Sequence, residues 1–403
     1  MRILSISQNH YVAGGMDRVM FDQIRILSAR GHDVVPFTAA DPADAPSPWA
    51  VRFPKASRTS NTPLTELPAT LYRPAAAKSL TALLREQPFD IVHIHSWFKR
   101  LSPSILPVLH RSGLPVVQTL HDYRTVCSRS TMYRDGSICR ECAGGRRWPA
   151  LAHRCNGTVA KTLASLSEMA IAQRLGHQRI VRRFLPVSGF QRRLLREMGL
   201  PDTRMRTLPN PVRVPDQPAP KPLSPVTAQL LFAGRIEDYK GALLFADLAA
   251  MRPEITFAMA GDGSALPAIS ARRLANLQLL GHLDERALAA AINDAVCVIV
   301  PSLCPETFGL SAAEAMAAGR PVIVSRTGGL TEIVRDGIDG IVVGVGDLAG
   351  LAAATDQILA DREAADAMGS AGRIRVSEEF SEDRFYARLM AIYREVIDGE
   401  AAL

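Results

Sequence analysis

A short apolar run, Ala295-Val296-Cys297-Val298-Ile299-Val300, is stopped by Pro301 and followed by strong helix formers from Ser311 to Ala318 that end at Gly319. A strand with no polar alternation is buried on both faces, which is the position of a strand in a parallel sheet. Parallel strands need a crossover, and the alanine-rich segment supplies one as a helix whose stop is Gly319. The next apolar run, Pro321-Val322-Ile323-Val324, restarts the cycle. A chain built from such units is confined to the α/β class. Glu306 then falls on the loop at the carboxyl end of the strand, and Glu314 is expected to point outward from the second turn of the helix. Between them, the unpaired first-turn amides near Phe308, Gly309 and Leu310 make a seat for an anion.

The segment from Glu306 to Val322 reads E-T-F-G-L-x-x-x-E-A-M-A-A-G-R-P-V. It resembles the signature of retaining glycosyltransferase family 4, the glycosyl transferases group 1. A lone pair of glutamates at this spacing would carry little; its setting within F-G-L, E-A-M-A and G-x-P-V is specific. A second segment agrees. After an apolar run at residues 229–233 comes Gly234-Arg235-Ile236-Glu237-Asp238-Tyr239-Lys240-Gly241, in the family's G-R-x4-K-G pattern. A loop of this length lets Arg235, as a bidentate donor, and Lys240, as a point charge, converge on one diphosphate. A third lies near the start, where Gly14-Gly15-Met16-Asp17-Arg18-Val19 precedes a helix expected at residues 17–29 and Gly31-His32-Asp33-Val34 follows it. It is similar to the opening of the family's acceptor domain.

The resemblance implies the GT-B architecture, two doubly wound Rossmann-like domains facing across a cleft. It also implies transfer of a hexosyl group from a nucleoside diphosphate sugar to an acceptor hydroxyl, with retained configuration and no essential catalytic metal. On this basis Glu306, Arg235, Lys240 and His121 are the catalytic candidates. The donor-binding set is Gly14, Gly15, Gly234, Arg235, Lys240, Gly261, Phe308, Gly309, Leu310 and Glu314, with Glu314 toward the ribose and the nucleobase near residues 279–283. His95, His121 and Asp122 are the acceptor-side candidates.

The rest of the chain fits that plan. Apolar runs at residues 2–7, 34–38, 91–95, 115–120 and 185–188 read as strands of a first half, and those at 229–233, 256–260 and 279–283 as strands of a second. Residues 41–74 read as a long loop, with a short helix at 78–86. His95 and His121-Asp122 stand at strand exits, the edge where open parallel sheets bind ligands. The Asn210-Pro211 turn and the proline-dense stretch 215–225 mark the boundary. The expected division is therefore an acceptor domain over 1–210 with a cysteine-rich insert at 123–157, a donor domain over 211–378, and a segment over 379–403 that crosses back to the first domain.

The insert departs from the minimal family pattern. Cys127, Cys139, Cys142 and Cys155 have the spacing C-x11-C-x2-C-x12-C. One structural zinc held by the four, two disulfides, and free thiols are the three readings that spacing leaves open. Arg174, Arg179, Arg182, Arg183, Arg192, Arg193 and Arg196, interleaved with apolar residues, read either as a face for anionic lipid or as solvated helices.

At 403 residues the chain exceeds one ordinary core, and a net charge of +7 over that length is too small to indicate a nucleic-acid partner. No apolar run is long enough to span a bilayer, so a cytoplasmic protein, with contact at the inner face of the membrane, is expected. A glycan or lipid-linked glycan is the expected acceptor. An inactive nucleotide-sugar or glycan-binding scaffold and a GT-B epimerase are the alternatives.

Overall fold

The computed structural model describes residues 1–55, 71–216 and 229–399. Two all-parallel sheets organise the chain. The first holds β1 (Arg2–Ile6), β2 (Asp33–Phe37), β3 (Ile91–Ile94), β4 (Val116–Leu120) and, after a small hairpin of β5 (Tyr133–Arg134) and β6 (Ser137–Ile138), β7 (Arg183–Pro186). Its strand order is β2-β1-β3-β4-β7, with Leu4 of β1 opposite both Val35 and Val92. The second holds β8 (Gln229–Ala233), β9 (Thr256–Ala260), β10 (Leu277–Gly281), β11 (Ala295–Val300), β12 (Val322–Ser325) and β13 (Ile341–Val343) in the order β10-β9-β8-β11-β12-β13. Helices cover both faces of each sheet, so the central strands are apolar throughout: all six residues of β11 are buried. This is the two-lobed α/β architecture that the alternation predicted.

Strand order reverses between β1 and β3 in the first sheet and between β8 and β11 in the second. Loops that leave neighbouring strands toward opposite faces at such a point open a crevice at the strands' carboxyl ends. The loop carrying Gly14 and Gly15 and the one following His95 leave the first reversal. The loop with Arg235 and Lys240 and the one with Glu306 leave the second.

The chain passes between lobes twice, side by side. Val212 pairs with Ser381, and its N–H donates to the Phe380 carbonyl at 2.9 Å. The last helix, Glu382–Ile397, buries Phe385, Leu389, Tyr393 and Val396 against Ile3, Ile26, Ile91, Val117 and Leu185 of the first lobe. The Tyr393 hydroxyl reaches His93 Nδ1 at 2.7 Å, and Arg183 bonds Glu395 at 2.7 Å.

Several local expectations shift. β10 and β7 each begin two residues earlier than their apolar runs suggested, because pairing to β9 and to β4 sets the register. The helix expected at 78–86 starts at Pro74, where a missing N–H is no loss. The expected loop at 41–74 contains a short 3-10 turn, Ala50–Arg52, and its residues 56–70 lie outside the described part. Most of the proline-dense linker likewise falls in 217–228, outside it. The arginine-rich stretch does not form one free basic face. Arg192 pairs with Asp202, Arg193 with Glu332 and Arg183 with Glu395, while Ile180, Val181, Phe184, Leu194 and Leu195 are core. Of these pairs, Arg192–Asp202 lies within the first lobe, whereas Arg193–Glu332 reaches the second.

Candidate active site in the cleft

Lys240 is brought to Glu306 by backbone contacts. Gly241 sits at φ +74°, and a Cβ there would lie 1.9 Å from the Pro301 carbonyl oxygen at the exit of β11. That close approach lets the N–H groups of Leu303 and Cys304 both donate to the Tyr239 carbonyl, at 3.0 and 3.1 Å. With the two loops tied, Lys240 Nζ donates to both oxygens of Glu306 at 2.6 and 2.7 Å, and the Ser302 hydroxyl donates to Oε1 at 2.5 Å. From behind, Gly328 at φ +60° packs on the Glu306 backbone, where a Cβ would meet its carbonyl oxygen at 2.2 Å, and Gly329 N–H donates to that oxygen. Burial by itself would raise the Glu306 carboxyl, but the Lys240 charge and the hydrogen bonds from Lys240 and Ser302 hold it below the usual glutamate range. Arg235 lies beside this pair, its guanidinium 5.6 Å from the Tyr239 ring centroid, with no ion pair among the described residues. Gly234 and Gly261 form tight strand exits: Gly234 N–H bonds the Ala260 carbonyl, and a Cβ on Gly261 would strike the Gly234 carbonyl.

Glu314 does not point outward. The helix Leu310–Ala317 faces the first lobe, so Glu314 meets Arg18 Nη1 at 2.9 Å and its side chain is only 17% exposed. Gly15 lies against Leu310, with an added Cβ 3.0 Å from Leu310 Cδ1. Phe308 is buried against Phe380, and Gly309 takes φ +112° at the start of the helix. The glycine loop is held by Asp17, which accepts from Asn9 Nδ2 and the Ala13 N–H. Burial pushes Glu314 up to about 7, with Arg18 opposing and Asp22 and Glu285 adding. A carboxyl raised above the ordinary 4.5 costs stability as it ionises, because the unfolded chain then holds fewer protons than the folded one. Wild-type protein should therefore lose stability, by an amount on the order of 3 kcal/mol, as pH rises from about 4.5 to about 7. Glu314→Gln should lack that component. Denaturant melts of both proteins at the two ends of the window check it, and identical pH slopes would refute the assignment.

On the opposite wall, His93, His95 and His121 form a stack, with centroid spacings of 4.6 and 5.2 Å. His95 Nδ1 and His121 Nε2 are 2.9 Å apart, and burial pushes His121 down to about 3, so the bond joins neutral rings. His95 is buried behind His121, with Nε2 unbonded. A cavity of about 10 Å³ beside them is lined by Met16, His95, Gln118, His121, Asp122 and Thr125, among others. Asp122 Oδ1 accepts from the Arg124 N–H at 2.7 Å. The walls meet where the Thr307 hydroxyl donates to the His121 carbonyl at 3.0 Å. Glu332 clasps them further along, accepting from Gly189 N–H and Arg193.

Cys127, Cys139, Cys142 and Cys155 line one cavity of about 20 Å³ beside Met132 and Met198. They are unlinked in this structure, and among the described residues no group of three His, Cys, Asp or Glu side chains is disposed to hold a metal ion. Burial raises Cys127 and pushes Cys142 up to about 11. Nearby, His153 Nε2 lies 2.9 Å from Glu141 Oε2.

The glycosyl transferases group 1 family matches residues 216–375, and the glycosyl transferase 4-like domain family matches residues 14–211. The chain belongs to the family 4 glycosyltransferases of GT-B fold. A glycogen synthase of Mycobacterium tuberculosis is 28% identical across 99% of this chain and 96% of its own. Among solved structures, sucrose-phosphate synthase from Thermosynechococcus elongatus superposes with a TM-score of 0.72 at 22% identity, covering 99% of this chain and all of its own. HepE of Anabaena, solved with UDP and glucose, gives 0.65 at 16%, covering 97% and 99%.

For this glycosyltransferase the tertiary structure adds residues that the sequence did not single out. Ser302 joins the already named Lys240 in holding Glu306, Arg18 meets Glu314, Asp17 fixes the glycine loop, and Thr307 and Glu332 join the lobes. Arg18 lies in the quoted G-G-M-D-R-V segment, so a question about what faces Glu314 could have found it. Nothing local marks Glu332.

Proposed function

We propose that this glycosyltransferase moves a hexosyl group from a nucleoside diphosphate sugar to a hydroxyl of a glycan or lipid-linked glycan, with retained configuration and without a catalytic metal. The observation that carries the reading is the Lys240–Glu306 pair at the second lobe's strand reversal, one residue from the Thr307 bridge to the His121 wall. Departure of a nucleoside diphosphate needs positive charge at its bridging oxygen. Arg235, Lys240 and the amides of Gly309 and Leu310 supply it. Lys240 can share its three N–H donors between Glu306 and a phosphate oxygen. Glu306, kept ionised, then holds hydroxyls of the migrating sugar and steadies the positive charge developing at its anomeric carbon, and Glu314 takes the ribose. The departing phosphate takes the acceptor proton, while His121 and Asp122 orient the acceptor with His95 fixing the His121 ring.

HepE's complex with UDP and glucose supports a donor of this class. A thermal-shift panel of UDP, GDP, ADP and their sugars tests it, since a ligand of the folded state alone stabilises that state by RT ln(1 + [L]/Kd) and so raises the melting point. A donor should stabilise equally with and without EDTA, and its transfer product should keep the donor's anomeric configuration. Inversion, or a shift abolished by the chelator, would overturn the mechanism. Release of an epimerised sugar nucleotide without acceptor would favour the epimerase.

The cysteine cavity supports a structural zinc as a separate proposal. Backbone N–H groups of Arg129, Ser130 and Met132 already aim at the Cys127 sulfur, and the four thiols would close on the ion as they lose their protons. Untagged protein should then carry about one zinc per chain. Folded metal-free protein from zinc-replete cells would dismiss it.

A further inference from the structure

The insert between β4 and β7 carries an apolar face that the catalytic reading does not use. Trp148 is 70% exposed, Val159 47% and Leu163 44%. Val159, Leu163, Leu166 and Ala170 follow one another by four, three and four residues along the helix Val159–Arg174, and so share one side of it. The short helix Trp148–Ala152 runs beside it, tied by a bond from Arg147 to Gln173. The opposite side of the long helix is polar and buried. Glu168 accepts from the Lys99 N–H at 2.5 Å and pairs with Arg124 at 2.8 Å, and Ser165 bonds the Ser128 carbonyl. Those loops carry Asp122 and Thr125 of the His95–His121 cavity. One helix therefore has its inner side on the acceptor wall, while its outer side exposes Val159 and Leu163 and leaves Leu166 and Ala170 half-buried.

Charge around the face is of one sign. Residues 142–167 include Arg146, Arg147, Arg154 and Lys161 and no aspartate or glutamate. Arg146, Arg154 and Lys161 are exposed, and Glu141, just outside the stretch, is engaged by Arg134 and His153.

We propose that this surface docks the enzyme on an anionic phospholipid bilayer, with Trp148 and Leu163 entering the headgroup region and Arg146, Arg154 and Lys161 on lipid phosphates. An amphipathic helix with a basic rim and an aromatic anchor lies in the interface plane, which needs no membrane-crossing segment. Among the described residues no helix is long and apolar enough to cross. A second copy of the chain fits less well, because a two-fold interface would bring each cationic rim toward its own duplicate. Docking here would set the His121–Asp122 side of the cleft beside the bilayer. This extends the acceptor side of the proposed reaction, but its test needs neither donor nor acceptor.

Sedimentation with vesicles of phosphatidylcholine containing a quarter phosphatidylglycerol should bring down wild-type protein at low salt. Pure phosphatidylcholine should not, and 1 M salt, where charges are screened beyond about 3 Å, should release it. Trp148 emission should shift to the blue on binding. Arg146→Glu with Lys161→Glu, and separately Trp148→Ser with Leu163→Gln, should each lower the partition coefficient by about tenfold, consistent with losing a part of the electrostatic or apolar contribution. Both variants should keep the wild-type melting point and donor-induced shift, so a partition loss cannot be ascribed to unfolding. Absence of vesicle binding, equal binding to neutral vesicles, or variants that bind as wild type would each overturn the proposal. So would a wild-type dimer that Trp148→Ser renders monomeric and that ignores vesicles, which would make the face a contact between copies.

Discussion

Lys240→Ala should lower kcat/KM by about 10²–10³-fold with the donor identified by thermal shift, the loss typical of removing one preorganised group that stabilises developing charge. Its effect on stability has a separate origin. Glu306 would be left only 12% exposed and without its cation, and truncating one partner of a buried pair costs about 3–5 kcal/mol. Wild-type Glu306 is held below the usual range, so its contribution is present above about pH 4.5 and lost as pH falls through its folded pKa. In Lys240→Ala, burial would no longer be outweighed and the carboxyl would rise instead, so the variant should gain stability relative to wild type on acidification. Adding Glu306→Gln removes the stranded charge. The double variant should recover most of the melting point and none of the turnover, whereas Glu306→Gln alone should stay folded and lose most transfer. Turnover within about tenfold of wild type in either single variant would dismiss this cleft as the reacting centre.

Gly241→Ala should separate placement of the lysine from its charge. At φ +74° a side chain costs about 1–2 kcal/mol. The Cβ would also have to displace the Pro301 carbonyl, for which about 1–3 kcal/mol more is expected. Gly337 is the matched control, since it takes φ +73° with nothing within 4 Å of an added Cβ. Gly337→Ala should show the conformational cost alone, a fall of roughly 2–4 °C for each kcal/mol in a domain of this size, and keep wild-type turnover. Gly241→Ala should melt lower still and lose activity at pH values where Lys240 is charged. Equal behaviour of the two variants would mean that the contact with Pro301 does not position Lys240.

Much of the fold was legible because its signals are local. Runs such as Ala295–Val300 have no polar alternation, and parallel strands with helical crossovers are the one economical way to bury them on both sides. Boundaries were less legible. β7 and β10 start two residues before their apolar runs, since neighbouring strands set where pairing begins, and the arginines near β7 pair with Asp202, Glu332 and Glu395. Arg235, Lys240 and Glu306 could be named from spacing because each lies within a few residues of a strand exit. The Lys240–Glu306 contact could not, as it depends on Gly241 meeting Pro301 across sixty residues of chain.

By itself the sequence determined the class of fold, the two lobes and the charged groups each lobe can offer, because periodicity and strand-exit chemistry are properties of neighbouring residues. The tertiary structure alone decided which of those groups meet. Glu314 faces Arg18 rather than solvent, the four thiols share one cavity, and Trp148 is left bare. Each outcome depends on how two surfaces distant in the chain are opposed, and no local pattern encodes that distance.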